Sequence, residues 1–339
     1  MRYMKAMQIH RFGGEDVLQC DEIPVPEPGP REMLIKVHAT SVNQSDMFVR
    51  QQGNLHIGPG DLPLILGREL AGVIVEVGSN VHEYTPGQRV AVLPAVQTRA
   101  AGTPGGKEYM GGYAEYALAR PQDARPLPSE IDMIVGAATP FVALTAWYVM
   151  RAGRLKEGER VFIQSGGSGL GIVAIQLAKR LGASVYTTAG SGEKCARVVE
   201  LGADSAINYR KDDFAAEILR LTDGRGVDLL LETVGGEAYL RCLKLLAPGG
   251  RIIALGSTSG GAPALVGDLA PGRTARRFSI TSTLMEDPHA IEQLDRIFAL
   301  VLSGELKVIV DRVFPLAEVA SAHRYIAERR NFGKVVLAV

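Results

Sequence analysis

A glycine-rich segment near the middle of the chain has residue types and spacing that indicate chemistry. Residues 158–182 read GERVFIQSGGSGLGIVAIQLAKRLG. A short apolar run at 161–164 enters a glycine-rich turn at 165–171, and a helix-forming stretch follows. This order predicts the strand, loop and helix start of a dinucleotide-binding βαβ unit. Glycines suit such a loop because a pyrophosphate must approach backbone N–H groups closely, and a helix N-terminus attracts the anion.

The motif itself is an incomplete match to G-x-G-x-x-G. Gly166 and Gly171 fit the two ends, but Ser168 stands in the middle position. A glycine-rich turn without a ligand is therefore the alternative. The sequence downstream favours the nucleotide interpretation, because strand and helix signals alternate as far as Gly256, which predicts a parallel sheet with right-handed crossovers.

Composition limits the remaining possibilities. The 339 residues suit two domains, and 37 basic against 37 acidic side chains give no sign of a nucleic-acid or anionic-membrane partner. No apolar run approaches the ~20 residues of a membrane helix. The first residues predict a strand rather than a signal peptide, and three scattered cysteines suit a reducing compartment, so we expect a cytoplasmic protein.

The first third of the chain is rich in β-branched residues, proline and glycine, and it predicts a β-rich barrel or irregular sandwich. Its glycine-rich segment 95–112 is either a mobile loop or a plain surface connection. The predicted strands are 33–40, 72–78 and 88–93, and the predicted helices outside the alternating part are 135–150 and 289–303. The last stretch, from about residue 306, has strand, helix and strand signals and could pack on the N-terminal domain.

Several spaced motifs resemble those of one known family, and they occur in the same order as in that family. They are HATSVNQSDMFVRQQG (38–53), LPLILGRELAGVIVEVGSNV (62–81), PGQRV (86–90), MGGYAEYAL (110–118), AINYR (206–210) and NFGKVVL (331–337). With the glycine loop, they make the chain similar to the medium-chain dehydrogenase/reductase superfamily, in its zinc-free quinone oxidoreductase (zeta-crystallin-like) branch. The resemblance implies an α/β fold. A GroES-like catalytic domain, 1–127 completed by 307–339, would be interrupted by a doubly wound Rossmann domain, 128–306, with the cofactor in the cleft between them.

The positions that hold metal in zinc-dependent relatives have other residues here. The resemblance puts Asn43 and Arg68 at the first two ligand positions, and nothing near Phe141 offers a thiolate or imidazole. A guanidinium cannot coordinate zinc, and the single carboxylate of Glu69 does not hold it. We therefore expect no metal. The six histidines are expected to be ordinary surface or core residues: His10, His38, His56, His82, His289 and His323.

The expected cofactor is NADPH. Rossmann sites for NAD place a carboxylate at the end of the second strand, whereas this chain has Thr188 or Ala189 there. The absence of that charge permits a 2′-phosphate. Lys194 is either a phosphate contact or a solvated lysine at a helix start, and Glu193 opposes the phosphate. By resemblance, the 2′-phosphate contacts are Gly190, Ser191, Lys194 and Tyr209.

The resemblance also implies the remaining cofactor and substrate contacts. The pyrophosphate residues are Ser168, Gly169, Leu170 and Gly171. The ribose and nicotinamide residues are Leu255, Gly256, Ser257, Thr283, Leu284 and Met285, with Phe332 and Lys334 as a C-terminal contact. Core packing explains Leu255, Leu284 and Phe332 equally well. Phe48 and Thr145 are expected to line the substrate or nicotinamide pocket.

The implied chemistry is hydride transfer, in which negative charge develops on a carbonyl oxygen. Asn43 is the first candidate to stabilise that charge, and Arg68 is the second, unless Arg68 forms a structural pair with Glu69 or Asp46. A helix cap explains Asp46, and a helix-surface charge explains Arg50, as well as a role in the site would. Phe48 lacks a hydroxyl, so the final proton is expected from water.

Three functions remain open on this evidence. The favoured one is an NADPH-dependent reductase of quinones or α,β-unsaturated ketones that acts on a small molecule as a homodimer. The dimer would join Rossmann sheets through an edge at 277–285. An enoyl-thioester reductase and a non-catalytic, crystallin-like NADPH-binding protein are the alternatives.

Overall fold

The computed structural model describes residues 2–53, 57–93, 111–256 and 269–339. The chain divides into two compact units, Met1–Phe141 with Thr281–Val339, and Val142–Ile280. Most of the loop predicted at 95–112 lies outside the described residues. The domain boundaries after residues 127 and 306 stay a prediction. No helix in the described ranges is long and apolar enough to cross a membrane.

The secondary structure alternates in the middle of the chain and is strand-rich before it. The first elements are β1 (Tyr3–Ile9), β2 (Leu18–Pro24), β3 (Met33–Val42), α1 (Gln44–Gln52), β4 (Leu64–Ile65), β5 (Leu70–Val77), β6 (Arg89–Val92), β7 (Tyr116–Ala119), β8 (Ala124–Pro126), α2 (Met133–Ala138) and α3 (Pro140–Ala152). The next are β9 (Arg160–Ile163), α4 (Gly169–Arg180), β10 (Ser184–Ala189), α5 (Gly192–Glu200), β11 (Ser205–Asn208), α6 (Phe214–Leu221), β12 (Val227–Glu232), α7 (Gly236–Leu243), β13 (Leu246–Ala254) and β14 (Thr274–Arg277). The last are α8 (Ile280–Glu286), α9 (Gln293–Leu302), β15 (Val310–Pro315), α10 (Val319–Ala327) and β16 (Lys334–Ala338).

The first unit is built on two sheets. One has seven strands, in the order β15-β16-β3-β5-β6-β8 with β7 also paired to β3, and the other has the order β2-β1-β4. The C-terminal strand β16 runs antiparallel to β3, with Val335 opposite Val42 and Ala338 opposite Ala39. This register brings the two residues just beyond the Val335–Val42 pair, Lys334 and Asn43, to the same end of the sheet.

The second unit contains a six-stranded sheet in the order β11-β10-β9-β12-β13-β14. All of its strand pairs are parallel. Counted within the unit, the order is 3-2-1-4-5-6, which is the Rossmann order and confirms the predicted parallel sheet. Every residue of β12 is buried, as expected for a strand covered on both faces. Helix α4 likewise buries most of its residues.

One predicted element differs from the structure. The helix predicted at 135–150 is two helices, α2 and α3, because Pro140 has no N–H and begins the second one. The segment 277–285, expected as the edge that joins two sheets in a dimer, contains the last residue of β14 and most of α8. The dimer itself stays a prediction.

Candidate functional site

Four polar side chains from distant parts of the chain form a buried cluster in the first unit. Ser41 is the last residue but one of β3, Asn43 precedes α1, Glu69 precedes β5 and Lys334 begins β16, and none is more than 5% exposed. The Lys334 Nζ donates to Asn43 Oδ1 at 2.6 Å and to Glu69 Oε1 at 2.8 Å. Asn43 Nδ2 donates to Glu69 Oε1 at 3.0 Å. We call these four residues the lysine cluster.

The Glu69 carboxylate accepts hydrogen bonds on both oxygens. Its Oε1 also accepts from the Ser41 hydroxyl, and its Oε2 accepts from the backbone N–H of Phe141 at 2.6 Å, in the first turn of α3. A helix N-terminus favours a negative charge, so this contact adds to the attraction of the ammonium. The carboxylate is therefore bound through both oxygens at a fully buried position.

Two local features place Asn43 and Glu69. Gly67 has φ of +101°, a conformation that favours glycine, and it turns the chain just before Arg68 and Glu69. The Asp46 carboxylate accepts from the backbone N–H of Asn43 at 2.9 Å, so Asp46 caps the start of α1. Burial raises the pKa of Asp46 to about 6, although this hydrogen bond and the nearby cations oppose the rise.

Arg68 lies beside the lysine cluster but does not pair with Glu69. Its guanidinium donates to the Thr281 hydroxyl and lies 5.2 Å from the centre of the Phe141 ring. Glu69 pairs with Lys334 instead, so the predicted structural pair between Arg68 and Glu69 is not formed. Burial lowers the pKa of Arg68, against the charges of Asp46 and Glu69. Its role in catalysis stays a prediction.

Arg50 belongs to a second buried network, and its interpretation as a helix-surface charge is wrong. The side chain is fully buried, donates to Glu15 at 3.0 Å and lies with Nη1 3.2 Å from His323 Nδ1. Because a guanidinium only donates, Nδ1 must accept, so the proton is on Nε2, 3.1 Å from the Tyr113 hydroxyl. Burial and the charge of Arg50 lower the pKa of His323 to about 3. His323 is thus a neutral core histidine.

The glycine-rich loop follows the C-terminal end of β9 in the second unit. Ser165 takes φ of +57°, in the left-handed region. Ser168 caps α4, and its hydroxyl accepts from the Gly171 N–H at 3.0 Å. A Cβ atom on Gly171 would lie 2.3 Å from the Ser165 carbonyl oxygen, so only glycine lets the helix start this close to the strand. The first-turn N–H groups of α4 have no acceptor within the helix, which suits an anion.

A second group of predicted residues meets at the end of β10. The Ser191 hydroxyl caps α5 by accepting from the Lys194 N–H at 3.2 Å. The Tyr209 N–H donates to the Ala189 carbonyl at 3.2 Å, and a Cβ on Gly190 would lie 2.9 Å from the Tyr209 hydroxyl. The structure thus brings together four residues predicted to contact a 2′-phosphate.

The remaining predicted residues are placed without a test of their roles. Leu255 and Gly256 follow β13 and are half-buried, whereas Ser257 lies outside the described residues. Thr283, Leu284 and Met285 lie on α8, where Leu284 is buried and Met285 is exposed. Phe332 is buried before β16, Phe48 is half-buried on α1, and Thr145 is buried on α3.

The donor set of the lysine cluster does not fit zinc. Zinc requires thiolate, imidazole or carboxylate ligands, and this cluster offers one carboxylate, an amide and a hydroxyl. The ammonium of Lys334 lies directly on Asn43 and Glu69 and would repel a metal ion. Within the described part of the chain, no three His, Cys, Asp or Glu side chains are grouped to hold a metal.

Two protein families match this chain. Residues 29–129 match the alcohol dehydrogenase GroES-like domain, and residues 201–337 match the zinc-binding dehydrogenase family. The first match confirms the predicted GroES-like part of the fold. The second is a family named for zinc, whereas the resemblance puts Asn43, Arg68 and Phe141 at or near the metal-ligand positions, and none of these three side chains is a usual zinc ligand.

Individual relatives are similar over nearly the whole chain. The quinone oxidoreductase of Pseudomonas aeruginosa is 31% identical over 98% of this chain and 99% of its own length. A phenolphthiocerol/phthiocerol polyketide synthase polypeptide of Mycobacterium tuberculosis is 33% identical over 98% of this chain, which spans 15% of that much longer relative. The solved structure of Escherichia coli quinone oxidoreductase complexed with NADPH superposes with a TM-score of 0.87 at 27% identity, covering 99% of this chain and all of that one.

The parallel sheet in Rossmann order, the GroES-like match and the full-length similarity agree with one another. The chain is an oxidoreductase that belongs to the medium-chain dehydrogenase/reductase superfamily, in its quinone oxidoreductase group.

Proposed function

We propose that this oxidoreductase transfers a hydride from NADPH to a quinone or an α,β-unsaturated carbonyl compound without a metal ion. The proposal that no metal takes part rests on the lysine cluster, where the Lys334 ammonium donates to the amide oxygen of Asn43. A fixed cation already balances the charge of Glu69 there. The protein therefore offers hydrogen-bond donors, rather than a Lewis acid, to the reacting oxygen.

NADPH is supported as cofactor by two parts of the second unit. The loop around Ser168 and the N-terminus of α4 suit the pyrophosphate. The end of β10 carries no carboxylate to repel a 2′-phosphate, and the side chains of Ser191, Lys194 and Tyr209 offer hydroxyl and cationic donors to it. The E. coli relative solved with NADPH agrees with this choice. When bound, NADPH supplies the hydride.

Asn43 is proposed to stabilise the reacting oxygen. Hydride arrival at the β-carbon of an enone, or at a quinone ring, puts negative charge on the carbonyl oxygen. One fixed donor in a dry site is worth about 3 kcal/mol of transition-state stabilisation. Asn43 is 5% exposed and held by two ionic neighbours, so its amide needs little reorganisation. Water then supplies the one proton that completes the two-electron reduction.

An enoyl thioester is the second candidate substrate. The similarity to part of a polyketide synthase favours it, because polyketide chains are carried as thioesters. The chemistry at the carbonyl oxygen would be the same, and the substrate would differ in the long arm behind it. A homodimer and a cytoplasmic location remain part of the proposal.

The test is oxidation of NADPH, followed at the nicotinamide absorbance band, with a quinone, an enone and an enoyl thioester in turn. Asn43→Ala should lower kcat by about 100-fold while NADPH affinity changes little. Asn80→Ala, at an exposed asparagine, is the control and should leave turnover unchanged. Full turnover by Asn43→Ala would contradict the proposed role, and no oxidation with any of the three acceptors would contradict the proposed function.

A further inference from the structure

The amide orientation of Asn43 is decided by its charged neighbours. An asparagine side chain has an acceptor oxygen and a donor nitrogen on one planar group, and a half-turn exchanges them. Only the nitrogen end stabilises negative charge on a substrate oxygen. An asparagine free to rotate would present its oxygen part of the time, which would repel that charge.

The two neighbours of the amide each permit one orientation. The Lys334 ammonium only donates, and it lies 2.6 Å from Asn43 Oδ1. The Glu69 carboxylate, when ionised, only accepts, and its Oε1 lies 3.0 Å from Asn43 Nδ2. A half-turn would put the amide NH₂ against the ammonium and the amide oxygen against the carboxylate. Both hydrogen bonds would become repulsive contacts in a site with little water to screen them.

The neighbours themselves are fixed. Lys334 is held between Asn43 and Glu69, and its side chain is 4% exposed. Glu69 cannot rotate without losing the backbone N–H of Phe141 on Oε2 and the Ser41 hydroxyl on Oε1. The cluster thus joins β3, β5, α3 and β16 around one amide.

The orientation leaves one amide N–H for a substrate. Glu69 Oε1 accepts from Nδ2 at 3.0 Å, and the Ser41 oxygen, 3.5 Å from Nδ2, is hydrogen-bonded to that same carboxylate oxygen, so both acceptors lie on one side of the amide nitrogen. The two N–H bonds of a planar amide point in directions about 120° apart, so the second N–H points away from both acceptors and can meet a carbonyl oxygen. From this geometry we infer that Lys334 and Glu69 are positioning residues: they act on the reaction through Asn43, by holding its N–H end ready for the substrate oxygen. This inference rests on the proposed role of Asn43 and extends it to two further residues.

A double-mutant cycle tests the inference. Lys334→Met with Glu69→Gln removes both charges together, so no unpaired buried ion remains. This pair should lower kcat, measured at saturating NADPH, by about 10-fold or more. Added to Asn43→Ala, the pair should cause no further loss, because its effect passes through the amide that is already gone. Lys334→Arg, which keeps a cationic donor, should recover part of the activity.

The matched control removes a charge pair elsewhere. Arg251→Met with Glu159→Gln breaks an ion pair between groups 2.9 Å apart at the start of the parallel sheet, and kcat should stay near that of the parent. The inference would be overturned if the kcat loss of the Lys334→Met and Glu69→Gln pair multiplied with that of Asn43→Ala. It would also be overturned if that pair changed only NADPH affinity. In both cases the proposed function survives. Unchanged turnover in Asn43→Ala alone would overturn the inference together with the proposed role of Asn43, whereas the proposed hydride transfer would survive.

If the charge-balanced pair does not fold, Lys334→Arg and Glu69→Gln are measured singly in the same cycle with Asn43→Ala. The inference again requires that neither lowers kcat further once Asn43 is alanine. Multiplied losses would overturn it.

Discussion

The glycine loop and the lysine cluster are built in opposite ways. The loop lies in one continuous segment, 165–171, and its small residues leave backbone N–H groups accessible. The lysine cluster gathers four buried side chains from positions 41 to 334, an ion pair among them. A site formed by backbone groups can therefore be recognised from local sequence, whereas a site formed by distant side chains depends on strand register.

The two sites also differ in their energetic cost. The loop buries no charge, while the cluster buries an ammonium and a carboxylate that must be paired to be tolerated. We therefore expect the cluster to respond most strongly to single substitutions and to charge.

The largest effect is expected from breaking the buried ion pair. Lys334→Met leaves the Glu69 charge without its cation, so the free energy of unfolding should fall by about 3–5 kcal/mol. Denaturant unfolding curves measure it. Adding Glu69→Gln to that variant should recover much of the loss, because no charge is then left unpaired. If Lys334→Met lowered the free energy of unfolding by less than about 1 kcal/mol, the ion pair would contribute little to the stability of this site.

A pH dependence sharpens the comparison, since the first unit holds the one buried histidine among the described residues. The pKa of His323 is lowered from 6.5 to about 3, so the unfolded chain binds its proton below pH 6.5 and the folded chain does not until about pH 3. The stability contribution is complete above pH 6.5 and is lost as pH falls, by at most about 1.4 kcal/mol per unit.

Comparison with His323→Gln isolates this contribution from the opposing one of Asp46, whose pKa is raised to about 6. Between pH 6 and 4 the parent should lose stability relative to the variant. Parallel curves of unfolding free energy against pH would contradict the assignment of a neutral buried histidine.

The smallest loss of stability is expected from a substitution in the glycine loop. Gly171→Ala places a Cβ 2.3 Å from the Ser165 carbonyl oxygen, and such overpacking costs about 1–3 kcal/mol. It should also weaken NADPH binding, measured by calorimetry. Gly192→Ala, where a Cβ meets nothing within 4 Å, is the control and should change stability by less than about 0.5 kcal/mol. Equal behaviour of the two variants would break the comparison.

The sequence predicted the local features well. The strand, glycine turn and helix at 158–182 form β9, the loop and α4, and the alternating segments form the parallel sheet in Rossmann order. These features repeat over short distances along the chain, so periodicity and turn residues suffice to find them. The resemblance also puts Asn43 and Arg68 at the positions that hold metal in zinc-dependent relatives, and their catalytic roles stay predictions.

What the sequence could not predict is which side chains pair. The ammonium of Lys334 pairs with Glu69, 265 positions away, and the predicted cofactor contact of Lys334 stays a prediction. Arg50 resembled a surface charge because its partner, His323, is 273 residues distant. Ser41, Tyr113 and Ser165 lie in segments that the sequence singles out, but no pattern assigns them a partner. Such contacts arise from the β3–β16 register and from buried charges, which no local pattern records.

The most direct test of the account is turnover by protein freed of metal. The protein is dialysed against a chelator, its metal content is measured by mass spectrometry, and NADPH oxidation is followed with a quinone in metal-free buffer. We expect the rate of the undialysed protein to be kept with far less than one metal ion per chain, since the Lys334 ammonium already balances the charge of Glu69. Loss of turnover on chelation, restored by stoichiometric zinc, would contradict it.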